Sequence, residues 1–206
     1  MTRPKLDVTA GAALAFAIFY YLDDSGWFSA AFPAILCHEG GHWIAVRACG
    51  GQIRTLRLEL SGLCMETTVF TDVQDEAFSL LAGPAAGLLW AAAAGAIGGA
   101  WGEKSARAAL ALNLFNLLPA LPLDGGRLLL DLTGSRRLLS ISGTLISAIL
   151  ILISVLWRIW GLIVPGVFLG WNALSPEESA DPPPPAAPAV RSVPGILVRS
   201  ERSHSE

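Results

Sequence analysis

Residues 27–49 form an apolar run long enough to cross a membrane, and that run contains His38-Glu39-Gly40-Gly41-His42. A hydrocarbon layer about 30 Å thick is crossed by about 20 helical residues. A helix is the form in which such a segment satisfies its own backbone. Residues i and i+4 of a helix share one face, so His38 and His42 present two imidazoles side by side, with Glu39 adjoining. Ionisable groups at membrane depth are costly and mark function. Two histidines at this spacing can hold one metal ion, with the neighbouring glutamate placed as a general base.

Composition agrees with a membrane setting. Of 206 residues, 53% are hydrophobic and 15% are charged, against about 25% charged in soluble domains. A net charge of −3 without a basic cluster excludes nucleic acid as a partner and leaves the lipid bilayer. Three cysteines and no Cys-x-x-Cys argue against a disulfide framework, and Cys37 and Cys49 read as small apolar residues. Arginine outnumbers lysine twelve to two, a bias of GC-rich bacterial genomes; the expected location is a bacterial cytoplasmic membrane, crossed several times.

Candidate spans are Val8–Leu22, Trp27–Cys49, Phe78–Trp101, Ala106–Leu121, Leu138–Leu156 and Trp157–Leu174. Arg158, Gly161, Pro165 and Gly166 interrupt the last two, so the count is five or six. The first segment has the outline of a signal peptide, with Arg3 and Lys5 before its apolar run, but reads as a retained span. Arg3, Lys5, Arg47, Arg54, Arg57, Arg127, Arg136, Arg137 and the tail arginines fall on one side of a six-span arrangement, which makes that side, with both termini, cytoplasmic.

Residues 52–73 differ from their surroundings. Leu56, Leu58 and Leu60 alternate with Arg57 and Glu59, Ser61-Gly62 reads as a turn, and a strand-forming run follows. The expectation is a β-hairpin against the membrane whose free edge at Leu56–Leu60 pairs with an extended substrate. Residues 175–206 hold seven of the thirteen prolines, which predicts a disordered cytoplasmic tail. The fold expected is therefore an all-α polytopic membrane protein with five or six transmembrane helices, a short membrane-associated β-hairpin and a disordered C-terminal tail. Its domain boundaries are 1–174 and 175–206.

A catalytic zinc takes three protein ligands and keeps one position open. His204 lies in the tail, so the third ligand must be sought elsewhere. Asp124 follows the fourth span, where Pro119 and Pro122 break the helix. One span separates the second from the fourth, so these two run in the same direction. His38 and His42 lie late in one and Asp124 at the end of the other, which brings all three toward the same membrane face. Arg47 marks that face as cytoplasmic, and His42 lies roughly 8 Å below it at about 1.5 Å per residue. Gly125 and Gly126 are expected to form the turn that aims Asp124.

His38-Glu39-Gly40-Gly41-His42, Leu81-Ala82-Gly83-Pro84 and the run from Asn116 through Pro119 and Pro122 to Asp124-Gly125-Gly126 occur in that order. With these motifs the chain resembles the site-2 protease family of intramembrane metalloproteases, over about Val8 to Trp171. The resemblance implies Zn2+ bound by His38, His42 and Asp124, with Glu39 catalytic. It further implies that Asn116 holds the substrate backbone or stabilises the oxyanion, although Asn113, one turn earlier, could serve equally. The short link between spans three and four leaves no room for a PDZ domain, and the tail is too short for a CBS domain. This is similar to the compact branch that includes the sporulation protease acting on a pro-sigma factor. The implied partners are a membrane-tethered protein substrate, a regulatory precursor among the candidates, and a regulatory membrane protein; the oligomeric state stays open. A membrane zinc transporter and a catalytically silent scaffold are the competing readings. Against the transporter, Trp43-Ile44-Ala45-Val46 offers no further ligands along a transport path.

Overall fold

The computed structural model describes residues 5–59, 62–67 and 72–175. Of the expected Ser61-Gly62 turn, Ser61 lies outside them and Gly62 is the first residue of a strand; the tail from residue 176 also lies outside them. The chain begins with a strand, β1 (Lys5–Val8), followed by α1 (Ala10–Leu22) and α2 (Trp27–Ala48). A hairpin, β2 (Ile53–Glu59) and β3 (Gly62–Thr67), leads to α3 (Val73–Ile97) and α4 (Gly99–Asn116). Then come α5 (Asp124–Thr133), α6 (Arg136–Trp157), a 3₁₀ turn at Trp160–Leu162 and α7 (Ile163–Leu174).

Helices α2 and α3 are bounded by local chemistry. Asp23 caps α2, its carboxylate accepting from the N–H groups of Trp27 at 3.0 Å and Phe28 at 2.5 Å. Gly50, at φ 76°, lets the chain leave α2, and the Gly51 N–H returns to the Val46 carbonyl at 2.8 Å. Asp72 caps α3 through the Gln74 N–H at 3.0 Å, and Asp75 and Glu76 favour the positive end of its dipole.

α2, α3 and α4 pack together, and small residues let them approach closely. Ala34, Ala91 and Ala109 form a buried cluster between them. A Cβ on Gly41 would collide with the Ala82 carbonyl, so α2 and α3 meet backbone to backbone at the level of the histidines. α6 and α7 form a second pair, joined by Ser147 Oγ donating to the Gly166 carbonyl at 2.7 Å and Ser140 Oγ to the Ala173 carbonyl at 2.7 Å. Ala120, Leu123 and Leu169 make the core that ties the α4–α5 link to α7.

Two of these helices, α3 and α6, are long and apolar enough to cross a membrane. On α6, Ile141, Leu145, Ile149, Leu152 and Leu156 recur every three or four residues and are all exposed, forming an outward apolar stripe. An apolar surface of that extent is a site of association with lipid or another chain.

Several expectations need correction. The first apolar segment does not begin as a helix at Val8, which ends β1; α1 starts at Ala10, capped by Thr9. The sheet has three strands, in the order β1-β2-β3, with β1 parallel and β3 antiparallel to β2. β2 is therefore central, and its edge is already occupied by β1 through the register Leu6↔Leu56. Among the described residues the open edges belong to β1 and β3. The third apolar helix ends at Ile97, so Trp101 belongs to α4. The final apolar region does form two helices, as its two candidate segments anticipated, with α6 ending at Trp157 and Arg158 following at φ 55°.

Candidate metal centre

Two helices bring three essential groups to a single point. His38 and His42 project from the later half of α2, and Asp124 is the first residue of α5. α4 stops at Asn116, and the link from Leu117 to Leu123, with a cis Leu121–Pro122 bond, delivers Asp124 back to α2. Gly125 and Gly126 are not the expected turn. They lie in the first turn of α5, where a Cβ would strike the Leu117 carbonyl or the Ala120 backbone, so their lack of a side chain lets the link fold under the helix.

The distances define the chemistry. His38 Nε2 and His42 Nε2 are 3.2 Å apart, and each lies 3.3 Å from Asp124 Oδ2. Tetrahedral zinc, with bonds of about 2.0–2.2 Å to nitrogen and carboxylate oxygen, sets its ligand atoms about 3.3–3.5 Å apart. The triad thus forms three edges of such a tetrahedron.

The proton inventory points the same way. His38 Nδ1 lies 2.8 Å from Asn113 Oδ1, and His42 Nδ1 lies 2.7 Å from the Ser79 carbonyl oxygen. Both partners can only accept, so each Nδ1 carries the hydrogen and each Nε2 presents a lone pair. The contact between the two Nε2 atoms is therefore acceptor against acceptor. Asp124 Oδ2 is buried and has no hydrogen-bond partner. With both histidines neutral, three lone-pair atoms face one another, an arrangement that a bound cation would satisfy, and outer hydrogen bonds to Nδ1 are the usual support of metal-binding histidines. The residues fit a zinc ion.

Glu39 follows His38 on α2, is half-buried, and lies within electrostatic reach of His38, His42, Asp124 and Arg127. His38 is buried, while the His42 and Asp124 side chains retain 14% and 13% of their surface. The centre is therefore shielded, with an opening for water on the side of His42 and Asp124. Farther along α5, Asp131 Oδ2 is buried without a hydrogen-bond partner; burial raises its carboxyl pKa, with Arg127 opposing the shift.

α3 supplies a slot for the rings. A Cβ at Gly83 would fall on the His42 imidazole, and one at Gly87 on the Asn113 side-chain amide. The two glycines of α3 therefore admit the site's own side chains. Asn116 is the last residue of α4, half-buried, and donates from Nδ2 to the Leu112 carbonyl at 3.1 Å. No hydrogen bond among the described residues joins it to the triad. Asn113 is the asparagine that touches a histidine, and its position one turn before Asn116 was the only signal of it in the sequence.

No family model matches the chain. It is 30% identical over 181 residues to “Putative zinc metalloprotease Rip3” of Mycobacterium tuberculosis, in the Erdman and H37Rv strains. The alignment covers 75% of this chain and 46% of the relative, so the chain spans about half the length of the curated relatives it matches. Its fold is that of the Site-2 Protease from Methanocaldococcus jannaschii, with a TM-score of 0.63 at 20% identity, over 82% of this chain and 88% of that one. The chain thus shares the site-2 protease fold and is related in sequence to proteins named as zinc metalloproteases. Within this site-2 protease fold, the triad and Glu39 occupy one centre built from α2 and α5 and buttressed by α3 and α4.

Proposed function

We propose that the chain is an intramembrane zinc metalloprotease that hydrolyses a peptide bond in or near a transmembrane segment of a membrane-tethered protein. The observation that carries this reading is the convergence of three lone-pair atoms at 3.2–3.3 Å with a glutamate beside them. Its relatives, named as zinc metalloproteases, support it.

In this reading His38 Nε2, His42 Nε2 and Asp124 Oδ2 hold the ion. Zinc bound there supplies a Lewis acid for the scissile carbonyl and lowers the pKa of water toward about 7. Glu39 takes a proton from the attacking water and delivers one to the leaving amine nitrogen, as general base and then general acid. Asn116, at the end of α4, keeps an amide hydrogen and Oδ1 for the substrate backbone. Asn113 and the Ser79 carbonyl hold the two rings in the tautomer that leaves Nε2 free. α5 orients the third ligand.

The exposed apolar faces of α3 and α6 support placement in a bilayer. Arg47 in the last turn of α2 supports an active site opening toward the cytoplasm of a bacterial cell membrane.

The test is cleavage of a membrane-segment substrate by the chain purified in detergent, compared with Glu39→Gln. Loss of cleavage with about one zinc retained per chain is expected. Undiminished cleavage by Glu39→Gln would remove Glu39 from the mechanism.

A further inference from the structure

We propose that Asn113 is the positioning residue for His38, setting its tautomer and ring plane for the metal, and that Gly87 is glycine so that the Asn113 amide can sit there. This rests on the zinc reading above and adds to it the groups on which metal affinity depends.

The orientation of the amide follows from its partners. Asn113 Nδ2 lies 2.6 Å from the Ala109 carbonyl oxygen, which can only accept, so the amide nitrogen must face it. Oδ1 then faces His38 Nδ1, at 2.8 Å. Because Oδ1 can only accept, Nδ1 carries the hydrogen and Nε2 turns its lone pair to Asp124 and His42. A neutral side chain on α4 thereby sets the protonation pattern of a ligand on α2. Asn113 is fully buried, so no water competes for the bond. The third helix closes the arrangement: a Cβ at Gly87 of α3 would overlap Nδ2, Oδ1 and Cγ of Asn113 together. Any side chain at position 87 displaces the amide. Asn116 has no such geometry, since its amide bonds to a carbonyl of its own helix.

The experiment is a competitive zinc titration against a chromogenic chelator, using the full chain in detergent. Asn113→Leu removes the acceptor at nearly constant volume. Gly87→Ala leaves Asn113 in place and displaces its amide. Asn113→Asp keeps an acceptor for Nδ1. The expected result is about 10–100-fold weaker zinc binding for Asn113→Leu and for Gly87→Ala, the range for loss of such outer hydrogen bonds. Asn113→Asp should bind at least about tenfold more tightly than Asn113→Leu, because a carboxylate serves the same role toward a metal-bound histidine. Wild-type affinity in Asn113→Leu overturns the proposal. So does equal weakening by Leu and Asp, which would mean that packing and not the acceptor matters. If Asn113→Leu loses its helical circular dichroism, Gly87→Ala decides, and unchanged affinity there overturns the proposal. A wild-type chain that takes up no zinc overturns the metal reading and this one with it; a wild-type chain that binds zinc while Asn113→Leu binds equally well overturns the Asn113 assignment alone.

Discussion

Gly83→Ala should cripple zinc binding without breaking the fold. The added methyl group falls on the His42 ring, at Nε2, Cε1 and Cδ2. To restore ordinary van der Waals separation the ring must retreat by about 1 Å. The His42 Nδ1 bond to the Ser79 carbonyl, now 2.7 Å, then stretches past hydrogen-bonding range, and Nε2 leaves its corner of the tetrahedron. Overpacking of this kind costs about 1–3 kcal/mol of stability, and misplacing a ligand weakens the metal by at least the 10–100-fold that follows loss of an outer hydrogen bond. Gly95 on the same helix is the control, because the nearest atom to a Cβ there is Ala106 Cβ at 3.9 Å. Gly95→Ala should leave zinc affinity unchanged and stabilise the helix by about 0.5–1 kcal/mol. Zinc affinity by chelator competition and thermal melting in detergent read both effects. Gly83→Ala binding zinc as tightly as Gly95→Ala would refute the slot.

Other expectations follow from the same geometry. Asp124→Ala removes one of three ligands and should leave less than about a tenth of the wild-type zinc occupancy after dialysis, measured by atomic absorption. Asn116→Ala should lower cleavage about 10–1000-fold if the amide serves the substrate, with zinc content unchanged; loss of zinc instead would place Asn116 with the ligands. At the other end of α2, lost hydration opposes ionisation of Asp23, but the Phe28 N–H, the Ser25 hydroxyl and the Trp27 N–H outweigh it and lower its pKa. A lowered folded-state pKa gives stability that is present above the ordinary carboxylate range and lost as pH falls through the folded value. Melting temperature should therefore drop as pH falls below the ordinary carboxylate range, and Asp23→Asn should flatten that part of the profile.

Much of the centre could be read from the sequence because its ligands obey simple geometry. The i, i+4 spacing in α2 places His38 and His42 on one face, and the direction of alternate helices brings the end of α4 to the same level. Of the five or six expected spans, α3 and α6 are the helices long and apolar enough to cross a membrane among the described residues, and these two were legible because hydropathy over 20 residues outweighs local detail. Short elements were not. β1 is four exposed residues, Lys-Leu-Asp-Val, held by β2 and by an Asp7–Arg57 ion pair that only the tertiary fold supplies. α5 was hidden because Gly125-Gly126 reads as a turn, while in the fold those glycines let the Leu117–Leu123 link pack beneath the helix. Asn113 and Asn116 both sit on α4, and nothing in their spacing says which one meets His38. That choice is made by how α2 and α3 close on α4, through Gly41 and Gly87.

Zinc K-edge X-ray absorption on the purified chain measures the proposed centre most directly. One zinc per chain with only nitrogen and oxygen neighbours, at about 2.0–2.2 Å, is the expected result, and the Asp124→Ala and His42→Ala variants should lose the signal. A sulfur neighbour at about 2.3 Å would contradict it by assigning the metal to Cys37 or Cys49, as would a chain that folds yet takes up no zinc.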